Sequence, residues 1–142
     1  MNIMVEFIIW AEDFPTEYVS KKIGIPHSEI IQKGDILYTG QNKDIPKLQT
    51  SSSITYSTGY INTINVEKPL KYMKHILYPS KDKIVELIKL YSLTSKFCIV
   101  INLTENPIIS LSKEFIKFAS ELNAEIEIDS YIDYDEMERP VI

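Results

Sequence analysis

The chain has 142 residues, 44% of them hydrophobic and 25% charged. That is one ordinary globular domain, long enough to bury a core without disulfides or a structural metal. The formal net charge of -5 argues against general nucleic-acid binding, and the single cysteine excludes both an internal disulfide and a zinc site built from cysteines.

The N-terminal stretch MNIMVEFIIWAEDF has no basic n-region and carries Glu6 inside its apolar run, so it makes a poor signal peptide. No uninterrupted apolar run approaches the roughly 20 residues that span a bilayer. The expectation is a cytoplasmic protein without a membrane segment. Residues 1–142 read as a single domain, with about 133–142 an acidic C-terminal tail.

Met4 to Trp10 is apolar and β-branched or aromatic, which predicts a largely buried strand. Pro15 suits the first turn of a helix and Glu17 its positive end. Val19 and Ile23 share a helical face, and Gly24 fits a C-cap, so a short helix is expected over about 15–23. Glu29 to Gln32 reads as extended, Lys33-Gly34-Asp35 as a turn, and Ile36 to Thr39 as strand. The segment from Gly40 to Ser53 is polar, is broken by Pro46 and reads as a loop. Ile54 to Val66 mixes threonine, tyrosine and isoleucine and favours strand, with Gly59 marking a bulge.

Leu70, Met73 and Leu77 lie at helical spacing, and Pro79-Ser80 ends that helix, with Ser80 free to cap the next. Ile84, Leu87, Ile88 and Tyr91 complete the apolar stripe of that next helix. Phe97 to Leu103 predicts a buried strand containing Cys98. Ser112 fits the cap of a helix carrying Phe115, Phe118, Ala119 and Leu122. Glu125 to Ile132 alternates strictly, placing Ile126, Ile128, Ser130 and Ile132 on one face of a half-exposed strand.

Strand–helix–strand order recurs at both ends of the chain. The expected fold is therefore α+β, a two-layer sandwich with a mixed, mostly antiparallel sheet of about five or six strands and three or four helices. It would be a ferredoxin-like variant built from two split β-α-β halves.

The stretch EDFPTEYVSKKIGIPHSEIIQKGD resembles the start of a bacterial family of uncharacterised proteins catalogued as domain of unknown function 4279. The matching positions are Pro15, Gly24, Ile25, Pro26, Lys33, Gly34 and Asp35. Later segments follow in the same order: YSTGY, a paired helical region, a hydrophobic strand, and SLSKEFIKFASELNAEIEIDSYI. The resemblance runs from about Val5 to Ile132. Where the family pattern is expected to place a tryptophan in the middle strand, this chain has Tyr56 or Tyr60. The resemblance brings no activity with it, so it assigns no catalytic residue.

Candidate chemistry is sparse. His27, between Pro26 and Ser28, has only Glu29 as a local partner and reads as an exposed loop histidine. His75 lies off the apolar stripe of its helix. Cys98 sits in a predicted buried strand, where burial raises a thiol pKa and makes it inert. Lys33-Gly34-Asp35 lacks the order of a P-loop and reads as a turn in which Gly34 takes a positive φ. An enzyme would need Glu6, Glu12, His27 or Tyr56 to converge. No motif calls for a cofactor or a metal.

Charge is distributed unevenly. From Glu105 to Ile142 three basic residues face ten acidic ones, while the earlier part has twelve basic and ten acidic. The carboxylates Asp129, Asp133, Asp135, Glu136 and Glu138 form a candidate surface for a basic protein partner. The function expected first is a non-catalytic protein-binding module, with toxin neutralisation (an immunity role) as a concrete version. The alternative is a small-ligand module with an aromatic-lined pocket around Tyr56 and Tyr60. The sequence leaves the oligomeric state open.

Overall fold

A computed structural model describes residues 1–38 and 45–132. The first strand, β1 (Asn2–Ala11), shows how the fold is organised. Ile3, Val5, Phe7 and Ile9 are all 0% exposed, whereas Met4, Glu6, Ile8 and Trp10 between them are only half-buried. Successive strand side chains point to opposite faces, so one face of β1 meets the core and the other does not. The largely buried strand expected here is thus fully buried on one face and half-buried on the other.

The chain continues through α1 (Thr16–Ile23), β2 (Glu29–Ile31), the short strands β3 (Ile36–Tyr38) and β4 (Pro46–Leu48), β5 (Ser52–Ser57) and β6 (Ile61–Asn62). Then come α2 (Glu67–Leu77), a 3-10 turn (Tyr78–Ser80), α3 (Lys81–Tyr91), β7 (Thr94–Leu103), α4 (Lys113–Glu121) and β8 (Ala124–Ile132). The main sheet runs β2-β5-β1-β7-β8, with β6 pairing the start of β1. Strand pairs are antiparallel except β7 and β8, which run parallel through α4. The α+β sandwich is the observed fold. In its first half β5 lies between β1 and β2, a split β-α-β arrangement, while β7-α4-β8 is unsplit.

The four helices bury their apolar stripes against one side of the sheet. Val19 and Ile23 of α1, Leu70, Met73 and Leu77 of α2, Ile84, Leu87 and Ile88 of α3, and Phe115 and Phe118 of α4 join the β1, β5 and β7 residues in one core. Each such side chain contributes about 1.5–3 kcal/mol by leaving water. At the centre Phe97 meets Phe7 at 4.8 Å and Phe115 at 4.9 Å between ring centroids.

The ends of the helices show which local signals were used. Gly24 has φ +74° and its N–H donates to Ser20 O, the left-handed C-cap its position predicts. Pro15 has no side chain to cap α1. Instead the Oε1 of Gln32 accepts from both Thr16 N, at 3.2 Å, and Thr16 Oγ1, at 2.9 Å. A residue sixteen positions away thus satisfies a free N–H at the start of the helix. Ser112 caps α4 as expected, its Oγ accepting from Phe115 N at 3.1 Å. Ser112→Ala should therefore destabilise the protein by about 1 kcal/mol, measured by urea unfolding. A loss below about 0.3 kcal/mol would show that the cap is replaced by water.

Several expected elements differ. Ser80 does not cap α3; its hydroxyl donates to Ile23 O at 2.8 Å and satisfies a carbonyl at the end of α1. The segment read as a loop contains β4, which pairs with β3 in a separate two-stranded ribbon. Pro46 is tolerated there as the first residue of its strand. The long strand expected over 54–66 is two strands, β5 and β6, and Gly59 turns the chain between them at φ +69°. It marks a turn, not a bulge.

Lys33-Gly34-Asp35 is a turn. Gly34 has φ +94°, Asp35 N donates to Gln32 O at 2.9 Å, and Asp35 Oδ2 accepts from Gln32 N at 2.8 Å. Gly34 N and Gln49 N, bonded to Gln49 O and Asp35 O, fix the base of the β3–β4 ribbon.

Candidate functional site

The helices cover one face of the sheet, and strand parity determines what the other face carries. Across it, from one edge to the other, stand Glu29 and Ile31 of β2; Ser53, Thr55 and Ser57 of β5; Met4, Glu6, Ile8 and Trp10 of β1; Lys96, Cys98 and Val100 of β7; and Glu125, Glu127, Asp129 and Tyr131 of β8. The central strands β1 and β7 carry apolar side chains interrupted by Glu6 and Lys96, and carboxylates stand on the outer strands β2 and β8.

The middle is tied together by a cation. Lys96 Nζ lies 5.5 Å from the centre of the Trp10 ring and 3.0 Å from Glu127 Oε2. The ring face attracts the ammonium while the carboxylate anchors it. This fixes the protein's one tryptophan on the helix-free face. At the β8 end, Tyr131 OH donates to Asp129 Oδ2 at 2.7 Å, which raises the phenol pKa.

Glu6 lies near the centre of the face, opposite Cys98 on β7. Partial burial, and then the negative charge of Glu29, raise its carboxyl pKa above 4.5, while Lys96 opposes the rise. The Cys98 thiol is likewise raised, first by burial and then by Glu127 and Glu6. It is therefore a thiol, not a thiolate, at neutral pH.

The raised carboxyl has a consequence for stability. Between pH 4.5 and its folded pKa, Glu6 holds more proton in the folded state than in the unfolded one. Stability from this group is thus present below 4.5 and declines as pH rises through the folded pKa. Glu6→Gln should raise Tm slightly at pH 7 and leave it unchanged near pH 4, as read by thermal scans at both pH values. The gain is small, on the order of 0.5 kcal/mol or less, because the half-exposed side chain is screened by solvent. A lower Tm at pH 7 would contradict this electrostatic account.

The residues singled out in the sequence fall in separate places. Tyr56 is on the helix-covered face, 1% exposed, while Tyr60 is in the turn after β5 and 52% exposed. The two do not line a common pocket. Glu6 and Tyr56 lie on opposite faces of the sheet. Glu12 is at the surface, paired with Lys33 at 3.4 Å, and His27 Nδ1 lies 2.9 Å from Ser20 Oγ. His75 is exposed on α2. Among the described residues no three His, Cys, Asp or Glu side chains are grouped to hold a metal ion, and no helix is long and apolar enough to cross a membrane. Of the acidic candidates, Asp129 is on the helix-free face; Asp133, Asp135, Glu136 and Glu138 lie outside the described residues.

Sequence reasoning missed this face because Val5 to Trp10 contains only one polar residue, and a continuous apolar run carries no period. The available signal was that Glu6 and Trp10 have the same parity in β1.

A family model described as domain of unknown function (DUF4279) matches residues 1–133. The chain belongs to this family. The match takes in every element from β1 to β8, so the helix-free face lies wholly within the family domain. No curated protein and no solved structure matches the chain.

Proposed function

We propose that this DUF4279 domain is a non-catalytic protein-binding module whose contact surface is the helix-free face of the sheet, and that its partner is basic. The observation that carries this reading is a row of half-buried apolar side chains along β1, Met4, Ile8 and Trp10, interrupted by Glu6 and with carboxylates on the flanking strands. Protein interfaces have this form, with an apolar aromatic core and a polar rim, and tryptophan is prominent among residues that dominate binding energy.

Charge separation supports a basic partner. The helices carry ten lysines, Lys81 among them, against six carboxylates, Glu17, Glu67, Asp82, Glu86, Glu114 and Glu121, whereas the sheet face away from them has Lys96 as its lysine and five carboxylates, Glu6, Glu29, Glu125, Glu127 and Asp129. An approaching cationic protein is steered toward the sheet side. Neutralisation of a basic toxin is one role that fits this chemistry.

Trp10 provides the test, because it is the protein's one fluorophore of its kind and stands on the face concerned. A partner isolated from the native host and purified should shift its emission to the blue and protect it from acrylamide. Trp10→Ala should weaken that complex by about 30-fold, the loss of a central aromatic contact. It should lower the unfolding midpoint only modestly, since Trp10 is half-buried. If the purified partner binds with full affinity to the variant, the contact surface is elsewhere.

A further inference from the structure

The sheet ends at β8, and β8 is unlike the other edge. At the opposite side β2 is three residues long and leads into the turn at Gly34. β8 has nine residues, pairs only β7 among the described strands, and therefore presents one full side of backbone N–H and C=O groups without a strand partner. Such an edge is a template for another strand.

Its two faces differ in chemistry. On the helix side, α4 covers the first part of β8, and Ala124 and Ile126 pack against the core. Beyond this, Ile128 and Ile132 remain 45% and 51% exposed. They border an open groove of about 410 Å³ completed by Leu103, Pro107 and Ile109. On the other face stand Glu125, Glu127 and Asp129.

We propose that β8 accepts an extended segment of a partner as an added strand, and that this segment alternates apolar and basic residues. Main-chain hydrogen bonds to the β8 edge supply the pairing. With a period of two, the apolar side chains of the added strand enter the groove beside Ile128 and Ile132, while its lysines or arginines face Glu125, Glu127 and Asp129. A second copy of this chain fits less well. Pairing β8 with β8 would bring those same carboxylates opposite one another, and like charges across strands destabilise the pair.

This inference rests on the protein-binding reading and specifies its mode. The test uses a blocked nine-residue peptide alternating valine and lysine, titrated into 15N-labelled full-length protein. The expected result is binding with a Kd in the micromolar range, with shifts and slowed amide exchange concentrated at residues 125–132. Ile128→Lys and Glu125→Lys should each weaken it by at least tenfold, the first by blocking the groove and the second by removing charge. Both side chains are exposed, so the variants should fold, as checked by their own spectra. A scrambled peptide of the same composition that binds equally well overturns the proposal, since only charge would then be recognised. So does protection of the β8 amides that grows with protein concentration in the absence of peptide, which would identify a second copy as the occupant. If the purified partner quenches or shifts Trp10 while β8 amides stay unprotected in that complex, strand addition fails and the helix-free-face reading stands. If Trp10 is unaffected but β8 is protected, the edge stands without the face.

Discussion

Phe97→Ala is expected to cost about 3–5 kcal/mol of folding stability, the range for deleting a fully buried phenylalanine. Phe97 is 0% exposed and is the residue through which the sheet and α4 meet. Its ring contacts Phe7 on β1 and both Phe115 and Phe118 on α4, at 4.8, 4.9 and 6.2 Å between centroids. Removing it takes away the transfer free energy of a benzyl group and leaves a cavity bounded by three other rings that are held by their own elements. A domain of this size has about 5–15 kcal/mol in total, so about a fifth or more of its stability is at stake. The urea midpoint should fall by about 2 M, given typical denaturant slopes. Trp10→Ala on the opposite face, measured the same way, should move it far less. A loss at Phe97 below about 1.5 kcal/mol would mean that α4 does not pack on β7 as described.

Tyr56→Phe should have the opposite sign. The Tyr56 hydroxyl is buried and makes no hydrogen bond of good geometry, although Ser20 Oγ is near enough to lower its pKa. The neighbouring Ser20 Oγ is engaged with His27 Nδ1 at 2.9 Å. An unpartnered buried hydroxyl costs about 1–3 kcal/mol in lost hydration, and phenylalanine keeps the ring while removing that cost. We expect a gain of about 1 kcal/mol, read as a higher urea midpoint.

The same site has a pH signature. Burial pushes the Tyr56 phenol up to about 12 from 10.0, with the nearby Ser20 hydroxyl acting the other way. Between those values the unfolded chain releases this proton while the folded protein keeps it. Stability from this phenol is therefore full below pH 10 and declines as pH rises toward 12. The advantage of phenylalanine should widen above pH 10. A destabilised Tyr56→Phe would mean that the hydroxyl has a partner after all, and it would revive a ligand-contacting role for Tyr56.

Short-range chemistry was legible wherever it governs structure alone. The Gly24 cap, the Ser112 cap and the turn at Gly34 depend on neighbours within a few residues, and each stands where its pattern places it. The amphipathic stripes of α2, α3 and α4 were readable for the same reason, since each helix buries one face. Where a remote residue decides, the sequence misled. Ser80 has the composition of a cap, but its hydroxyl donates to Ile23 O and makes no capping bond to α3. Gln32 showed no sign of completing the start of α1. Residues 46–48 looked like loop because nothing local reveals that β3 lies alongside them.

The sequence by itself determined the class of fold, family membership, the lack of an internal disulfide, and a net charge of -5. It could do so because composition, periodicity and end signals act locally or as sums over the chain. Only the tertiary structure decided that the helices of the described residues lie on one side, that Trp10 and Glu6 share the other side, and that β8 pairs only β7 among the described strands. Those facts depend on which strands are neighbours. Strand neighbours are chosen by long-range packing of the whole core, which no window of residues contains.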